Sequence, residues 1–157
     1  MAKKSTSLTI TLHIDGARET LAAFRRLPKE ASKSLRERTL LLSETLARKV
    51  ADAARQDSSQ SWLLAATVKA RKDRVPSIQA GGTKPVGRQR RRSRGQGPTR
   101  AYMLLFGSEF GANLPQFRPH LGRGSYWFFR TVEQNESHIA DAWTKVADDV
   151  LREFRRG

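Results

Sequence analysis

The sequence predicts an α+β fold: a small antiparallel sheet packed against two long helices, with a long basic loop. Three observations predict it. The run Leu8-Thr9-Ile10-Thr11-Leu12-His13-Ile14 alternates apolar and polar residues, the period-two pattern of a half-buried strand. From Pro28 to Gln56 there is no Gly and no further Pro, and apolar residues recur at Ala31, Leu35, Leu42, Leu46, Val50 and Ala53 or Ala54. That spacing of three and four is one amphipathic helix, about 40 Å long at ~1.5 Å per residue. A second stripe, Ile139, Trp143, Val146, Ala147, Val150, Leu151 and Phe154, marks a long C-terminal helix.

The elements follow in order. Asp15-Gly16 ends the first strand, and Asp15 is the expected N-cap of a short helix through Leu21, Phe24 and Leu27. Pro28 suits the first turn of the long helix. Leu40 and Leu41 widen its apolar face, as if it packs on two sides. Gln56 to Ser61 is expected to be a polar turn. Trp62 to Ala66 then lead into a β-hairpin of Thr67–Lys72 and Val75–Ala80. Gly81 to Arg100 carries seven basic residues and no acidic one. Nothing there can bury a core face, so it reads as a long loop or disordered arm. Ala101 to Phe106 is apolar and expected to break at Gly107. An irregular aromatic and proline stretch follows, then Tyr126 to Glu133 as a helical start, and the last helix from about Ser137. Trp143, Val146, Val150 and Phe154 are expected to pack on Leu35, Leu42 and Leu46.

A length of 157 residues suits a single domain spanning 1–157, with the basic loop of 81–100 inside it. Thirty Lys plus Arg against fifteen Asp plus Glu leave a formal +15, so the chain attracts polyanions or acidic protein surfaces. A hydrophobic fraction of 38% is low for a self-sufficient monomer. Apolar runs such as Trp62–Ala66 and Ala101–Phe106 are too short to cross a bilayer. The start Met-Ala-Lys-Lys-Ser-Thr-Ser has no apolar h-region. The expected setting is therefore the cytoplasm, at least during assembly.

Catalysis finds little support. The absence of cysteine excludes disulfides, thiolate chemistry and zinc fingers. His13, His120 and His138 each lack a second His or a carboxylate at metal-ligand spacing, and Gly81-Gly82-Thr83-Lys84 departs from the phosphate-binding loop pattern. Asp148-Asp149 falls on the polar face of a helix. The expectation is no enzyme, no cofactor and no metal site.

Two features suggest interaction instead. Lys84, Arg88, Arg90, Arg91, Arg92, Arg94 and Arg100 form a candidate DNA or partner contact, because guanidinium forks bind phosphate bidentately. The same run also fits a solvated loop. No aromatic interleaves it, which argues against base stacking. Tyr126-Trp127-Phe128-Phe129, with Tyr102, Phe106, Phe110 and Phe117, hold eight of the twelve aromatics. They read either as core or as a subunit interface, where aromatics are enriched.

The order of these features resembles a phage family. It comprises the strand, the helix with its Leu27-Pro28 step (Ile14 to Pro28), the long helix and Ser61-Trp62-Leu63-Leu64. A Tyr-x-x-x-x-Gly-x-Glu-Phe-Gly box follows (Tyr102, Gly107, Glu109, Phe110, Gly111), then Pro-x-Phe-x-Pro (Pro115, Phe117, Pro119). This order is similar to the tail-component family of long-tailed bacteriophages, the head–tail connector, neck or tail-completion proteins. Two departures stand out: Gln60-Ser61-Trp62-Leu63 lacks the glycine of the family's Thr-Gly-x-Leu step, and the arginine loop is longer. The resemblance implies a structural virion protein forming a hexameric ring at the head–tail junction. Its neighbours would be connector or stopper and tail-tube or terminator proteins, with genome DNA in the lumen and no membrane. The candidate subunit interface is then Tyr102, Phe106, Glu109, Phe110, Phe117, Tyr126 and Trp127. The alternatives are a tail terminator capping the tail tube, and a small non-specific nucleic-acid-binding protein.

Overall fold

The structure is a computed structural model describing residues 6–87, 98–122 and 124–156. In chain order its elements are β1 (Ser7–Thr11), α1 (Ala17–Phe24), α2 (Lys29–Asp57), α3 (Ser59–Leu64), β2 (Lys69–Arg71), β3 (Ser77–Gly81), α4 (Ala101–Phe110) and α5 (Phe128–Arg156). A single 3-10 turn covers Ala65–Thr67. The fold is α+β, with a three-stranded antiparallel sheet and the two long helices packed together.

β3 is the central strand. It pairs with β1 from Ser7 opposite Gly81 to Thr11 opposite Ser77, and with β2 from Lys69 opposite Gln79 to Arg71 opposite Ser77. The N-terminal alternation outlasts its strand: Leu12 and Ile14 are buried while Thr11, His13 and Asp15 are exposed. One buried cluster joins β1, β3 and all five helices.

α2 is the pillar. It packs against β2 and β3 on one flank and against α5 on another. Two polar residues sit fully buried on it and fasten the sheet: Ser43 Oγ accepts a hydrogen bond from Ser77 N at 3.0 Å, and Thr39 Oγ1 donates to the Arg74 carbonyl at 3.4 Å. On the α5 side, Arg38 Nη2 meets Glu153 Oε2 at 2.7 Å and Lys49 Nζ donates to Asn135 Oδ1 at 3.0 Å. α2 does pack on two sides, but not through Leu41, which is 63% exposed. Small buried residues, Ala47 and Ala51, do that work beside Thr39 and Ser43.

The structure corrects several element boundaries. Asp15 caps nothing; Gly16, at φ 80, occupies the N-cap position of α1 with no side-chain cap, because a left-handed residue favours glycine. Pro28 precedes α2 as its N-cap rather than sitting inside the first turn. The expected turn at 56–61 instead starts α3: Ser61 N donates to Ser58 Oγ at 3.2 Å and Ser58 N to Ser61 Oγ at 2.9 Å, a reciprocal capping box. Trp62 to Ala66 therefore belong to α3 and the 3-10 turn, Thr67 ends that turn, and the hairpin strands expected over Thr67–Lys72 and Val75–Ala80 are Lys69–Arg71 and Ser77–Gly81. α4 runs through Gly107 to Phe110. α5 is continuous over 29 residues, so the two C-terminal helical segments are one.

Trp143 and Val150 of α5 lie in the same buried cluster as Leu35 and Leu46, with Leu42, Val146 and Phe154 partly buried against it. Trp143 is 1% exposed, and its Nε1–H donates to the Arg74 carbonyl at 2.7 Å. Trp143→Ala is expected to destabilise the fold by about 3–5 kcal/mol through the cavity it leaves. Urea unfolding checks this, and an unchanged midpoint would contradict that packing.

Candidate interaction surface

The Tyr102–Gly111 box and the Pro115–Pro119 segment meet in one junction. Gly107 lies under the Phe117 ring, where an added Cβ would come within 2.6 Å of it. Gly111, at φ 81, ends α4 against the Pro119 carbonyl, and any Cβ there would collide with it. Two backbone bonds close the loop between the motifs: Ala112 N to Arg118 O and Leu121 N to Phe110 O, at 2.9 and 3.1 Å. Arg118 stacks 3.7 Å from the Tyr126 ring centroid and reaches Asp57 Oδ2 at the end of α2 with Nη2. Tyr126 O–H donates to the Pro119 carbonyl at 2.7 Å.

Glu109 closes this junction. Its carboxylate is buried and accepts from Phe128 N at 2.6 Å, Phe129 N at 3.4 Å and the Ser125 hydroxyl. Ser125 Oγ in turn accepts from Arg130 N at 3.1 Å. The first turn of α5, whose N–H groups have no partner within the helix, is thus capped from α4 and the preceding loop. A negative group also complements the positive end of the helix dipole. Burial raises the Glu109 carboxyl above the usual carboxylate value, against the lowering pull of Ser125 and the N–H groups of Phe128, Phe129 and Trp127.

A chain of rings leads outward from this point. Trp127 and Phe128 meet edge to face at 5.6 Å, Phe128 and Phe129 at 5.7 Å, Phe129 and Phe110 at 5.8 Å, and Phe110 stacks on Phe106 at 6.4 Å. Its outer end is exposed, with Phe106 beside Met103. Of the expected interface residues, Phe106 is exposed and Tyr102, Phe110, Phe117 and Tyr126 are partly exposed. Glu109 and Trp127 are corrected: at 0% and 1% exposure they are interior groups of this chain and present nothing to a neighbour. Trp127 is held inside by Ser108, to whose Oγ its Nε1 donates at 3.3 Å.

The two ends of the basic segment are pinned together in a stem. Pro85 and Arg100 form an antiparallel bridge, with Val86 N bonded to Thr99 O and Ala101 N to Lys84 O, both at 2.9 Å. Arg100 Nη1 donates to the Thr83 carbonyl at 2.7 Å, so this predicted contact residue also closes the stem. Lys84 is exposed there. Arg88, Arg90, Arg91, Arg92 and Arg94 lie outside the described residues. The stem rests on α3: a Cβ at Gly87 would stand 3.3 Å from Leu63, and the neighbouring Trp62 is 58% exposed. Arg55, Trp62, Leu63, Lys84 and Gly87 line one groove of about 420 Å³. The exposed tryptophan of the protein is therefore Trp62, which the sequence pattern assigned to a strand lead-in. Its place next to a helix cap was the signal that could have found it.

Among the described residues, no group of three or more metal-ligating side chains is assembled, and no helix is long and apolar enough to cross a membrane. His13, His120 and His138 are exposed at separate places, the exit of β1, the 111–122 loop and α5. Comparison with protein-family models, curated proteins and solved structures finds no match to this chain.

The pH dependence of stability reports on Glu109. The folded chain holds this carboxyl proton more tightly than the unfolded chain does. Its contribution is therefore most favourable below the ordinary carboxylate value near pH ~4 and declines as pH rises through the higher folded value. Urea unfolding of wild type and Glu109→Gln between about pH 4 and pH 7 is expected to show the wild-type stability falling relative to the variant as pH increases. A pH-independent difference would contradict it.

Proposed function

We propose that this chain is a non-enzymatic structural subunit of a phage virion. In this reading it forms a hexameric ring at the head–tail junction, between the capsid connector and the tail, with genome DNA passing through the bore. The observation that carries the reading is the arm of residues 81–100. It concentrates seven cations without an acid, and its two ends are joined in a hydrogen-bonded stem beside an exposed tryptophan. Such an arm supports contact with a polyanion or an acidic partner. Seven cations per subunit amount to about forty on a six-fold ring, a repulsion that phosphates or an acidic neighbour must offset. The resemblance of the Tyr102–Pro119 motifs to tail components supports the same reading, since those residues meet in one junction.

The arm also favours a second reading, a small non-specific nucleic-acid-binding protein. Oligomeric state separates the two: native mass spectrometry is expected to give a hexameric ring for the first and a monomer or dimer for the second.

Replacing Arg88, Arg90, Arg91, Arg92 and Arg94 together by Gln tests the arm. The fold is expected to survive, because loops outside the core contribute little to stability. Head–tail joining, or retention of packaged DNA, is expected to fail. Normal titres of infectious particles from this variant would overturn the proposed role.

A further inference from the structure

Two surface grooves on this molecule are complementary in charge. The larger, about 850 Å³, lies between α2, the 3-10 turn and β2. Ala66 and Ala70 line its accessible side over the buried Ala47, Ala51 and Ala65, so a partner backbone can approach closely there. Arg48, Arg55, Lys69 and Lys72 ring it, against the lone acid Glu44. Of these four cations only Arg55 has an ion-pair partner among the described residues, Asp52 at 2.9 Å.

The second groove, about 460 Å³, runs between the β1–α1 connection and α5. Asp15, Glu133, Glu136 and Asp141 line it together with His13, and no Lys or Arg does. Among the described residues none of these four carboxylates pairs with a Lys or Arg within 4.0 Å, and Asp15 Oδ1 lies 3.6 Å from His13 Nε2. The chain has half as many acids as bases, so four carboxylates in one groove without a Lys or Arg is a marked segregation of charge.

The grooves face apart. At ~100° per residue, Ala47 and Ala51 lie about half a turn around α2 from Arg38 and Lys49, the residues that reach α5. On α5, Ser137 and Thr144 lie about half a turn, and Asp141 about a third of a turn, from Asn135 and Glu153, the residues that reach α2. The basic trough is thus on the flank of α2 away from α5, at its border with β2, and the acidic groove on the flank of α5 away from α2. Neither can satisfy the other within one chain. Patches on opposite flanks also fail to meet their complements in a two-fold dimer; they join copies head to tail, a heterologous contact that gives a ring when the rotation between copies closes.

We infer that the basic trough on α2 of one copy receives the acidic groove on α5 of the next, and that this contact builds the assembly. The inference rests on the ring-forming reading and deepens it by naming the two faces. The alanine-lined trough supplies the apolar contact, while the opposed charges set partner and register.

Charge reversal tests it. One variant carries Arg48→Glu, Lys69→Glu and Lys72→Glu; the other carries Glu133→Lys, Glu136→Lys and Asp141→Lys. None of these six residues is buried, so circular dichroism is expected to match wild type. By native mass spectrometry each variant alone is expected to be monomeric. Their equimolar mixture is expected to regain rings containing equal numbers of both, and a chain carrying all six changes is expected to regain homomeric rings. Rings from either triple variant alone would overturn these faces while leaving the ring reading intact. A wild type that is monomeric in solution and in particles would overturn both. A trough variant that assembles normally and has lost only duplex DNA binding would overturn these faces alone.

A second measurement is independent of charge. Because the chain contains no cysteine, Ala66→Cys combined with Ser137→Cys is expected to give a ladder of disulfide-linked oligomers on oxidation of assembled rings. Assembled rings that give no ladder would also overturn the inference.

Discussion

A carboxylate moved into a protein interior is costly unless its oxygens find donors, and Glu109 finds them at the start of α5. Phe128 and Phe129 offer their backbone N–H groups, and Ser125 links the same carboxylate to Arg130 N. One side chain on α4 thereby satisfies the open end of a 29-residue helix that supplies much of the core. The surrounding motif follows from this demand. Gly107 and Gly111 admit Phe117 and Pro119 at close range, the 111–119 loop folds back on α4, and Arg118 ties it to the end of α2 through Asp57. Without the cap the direction in which α5 leaves the junction would be unspecified, and with it the docking of α5 on α2.

α2 meets a different constraint, because its flanks serve partners of different kinds. Toward the sheet it presents Thr39 and Ser43, whose hydroxyls complete the hydrogen bonding of the β2–β3 turn and the first residue of β3. Toward α5 it presents aliphatic residues flanked by Arg38 and Lys49. Buried hydroxyls with partners are compatible with a well-packed interior, and among the described residues no buried side-chain polar atom lacks one.

The fold also arranges charge. A net +15 is distributed unevenly: Lys84 on the stem of the basic segment and the cation-rimmed trough share the side of α3 and the 3-10 turn, where Arg55, Ala65 and Ala66 line both adjoining grooves. The carboxylates of Asp15, Glu133, Glu136 and Asp141 gather by α5. A strongly cationic chain that gathers four carboxylates on one flank has one face for polyanions and another for cationic surfaces, its own copies included.

The sequence by itself determined the fold class, the extent of α2 and the core stripe of α5, because period-two and period-3.6 patterns directly reflect which side of an element meets the core. It also marked the basic arm, since charge composition does not depend on folding. Tertiary structure decided the rest. Ser58 and Ser61 have the composition of a turn, yet they cap α3, a reciprocal geometry that polar character alone leaves open. Gly107 looks like a helix breaker in isolation, but the Phe117 ring packed over it explains glycine there. Glu109 and Trp127 are of types found both at surfaces and in interiors. Only the convergence of α4, the 111–125 loop and α5 buries them, because the N–H donors and the Ser108 hydroxyl that make burial tolerable come from contacts formed on folding. Trp62 is the converse: it stands in an apolar run of the sequence, while the rotation of a six-residue helix turns it to the surface.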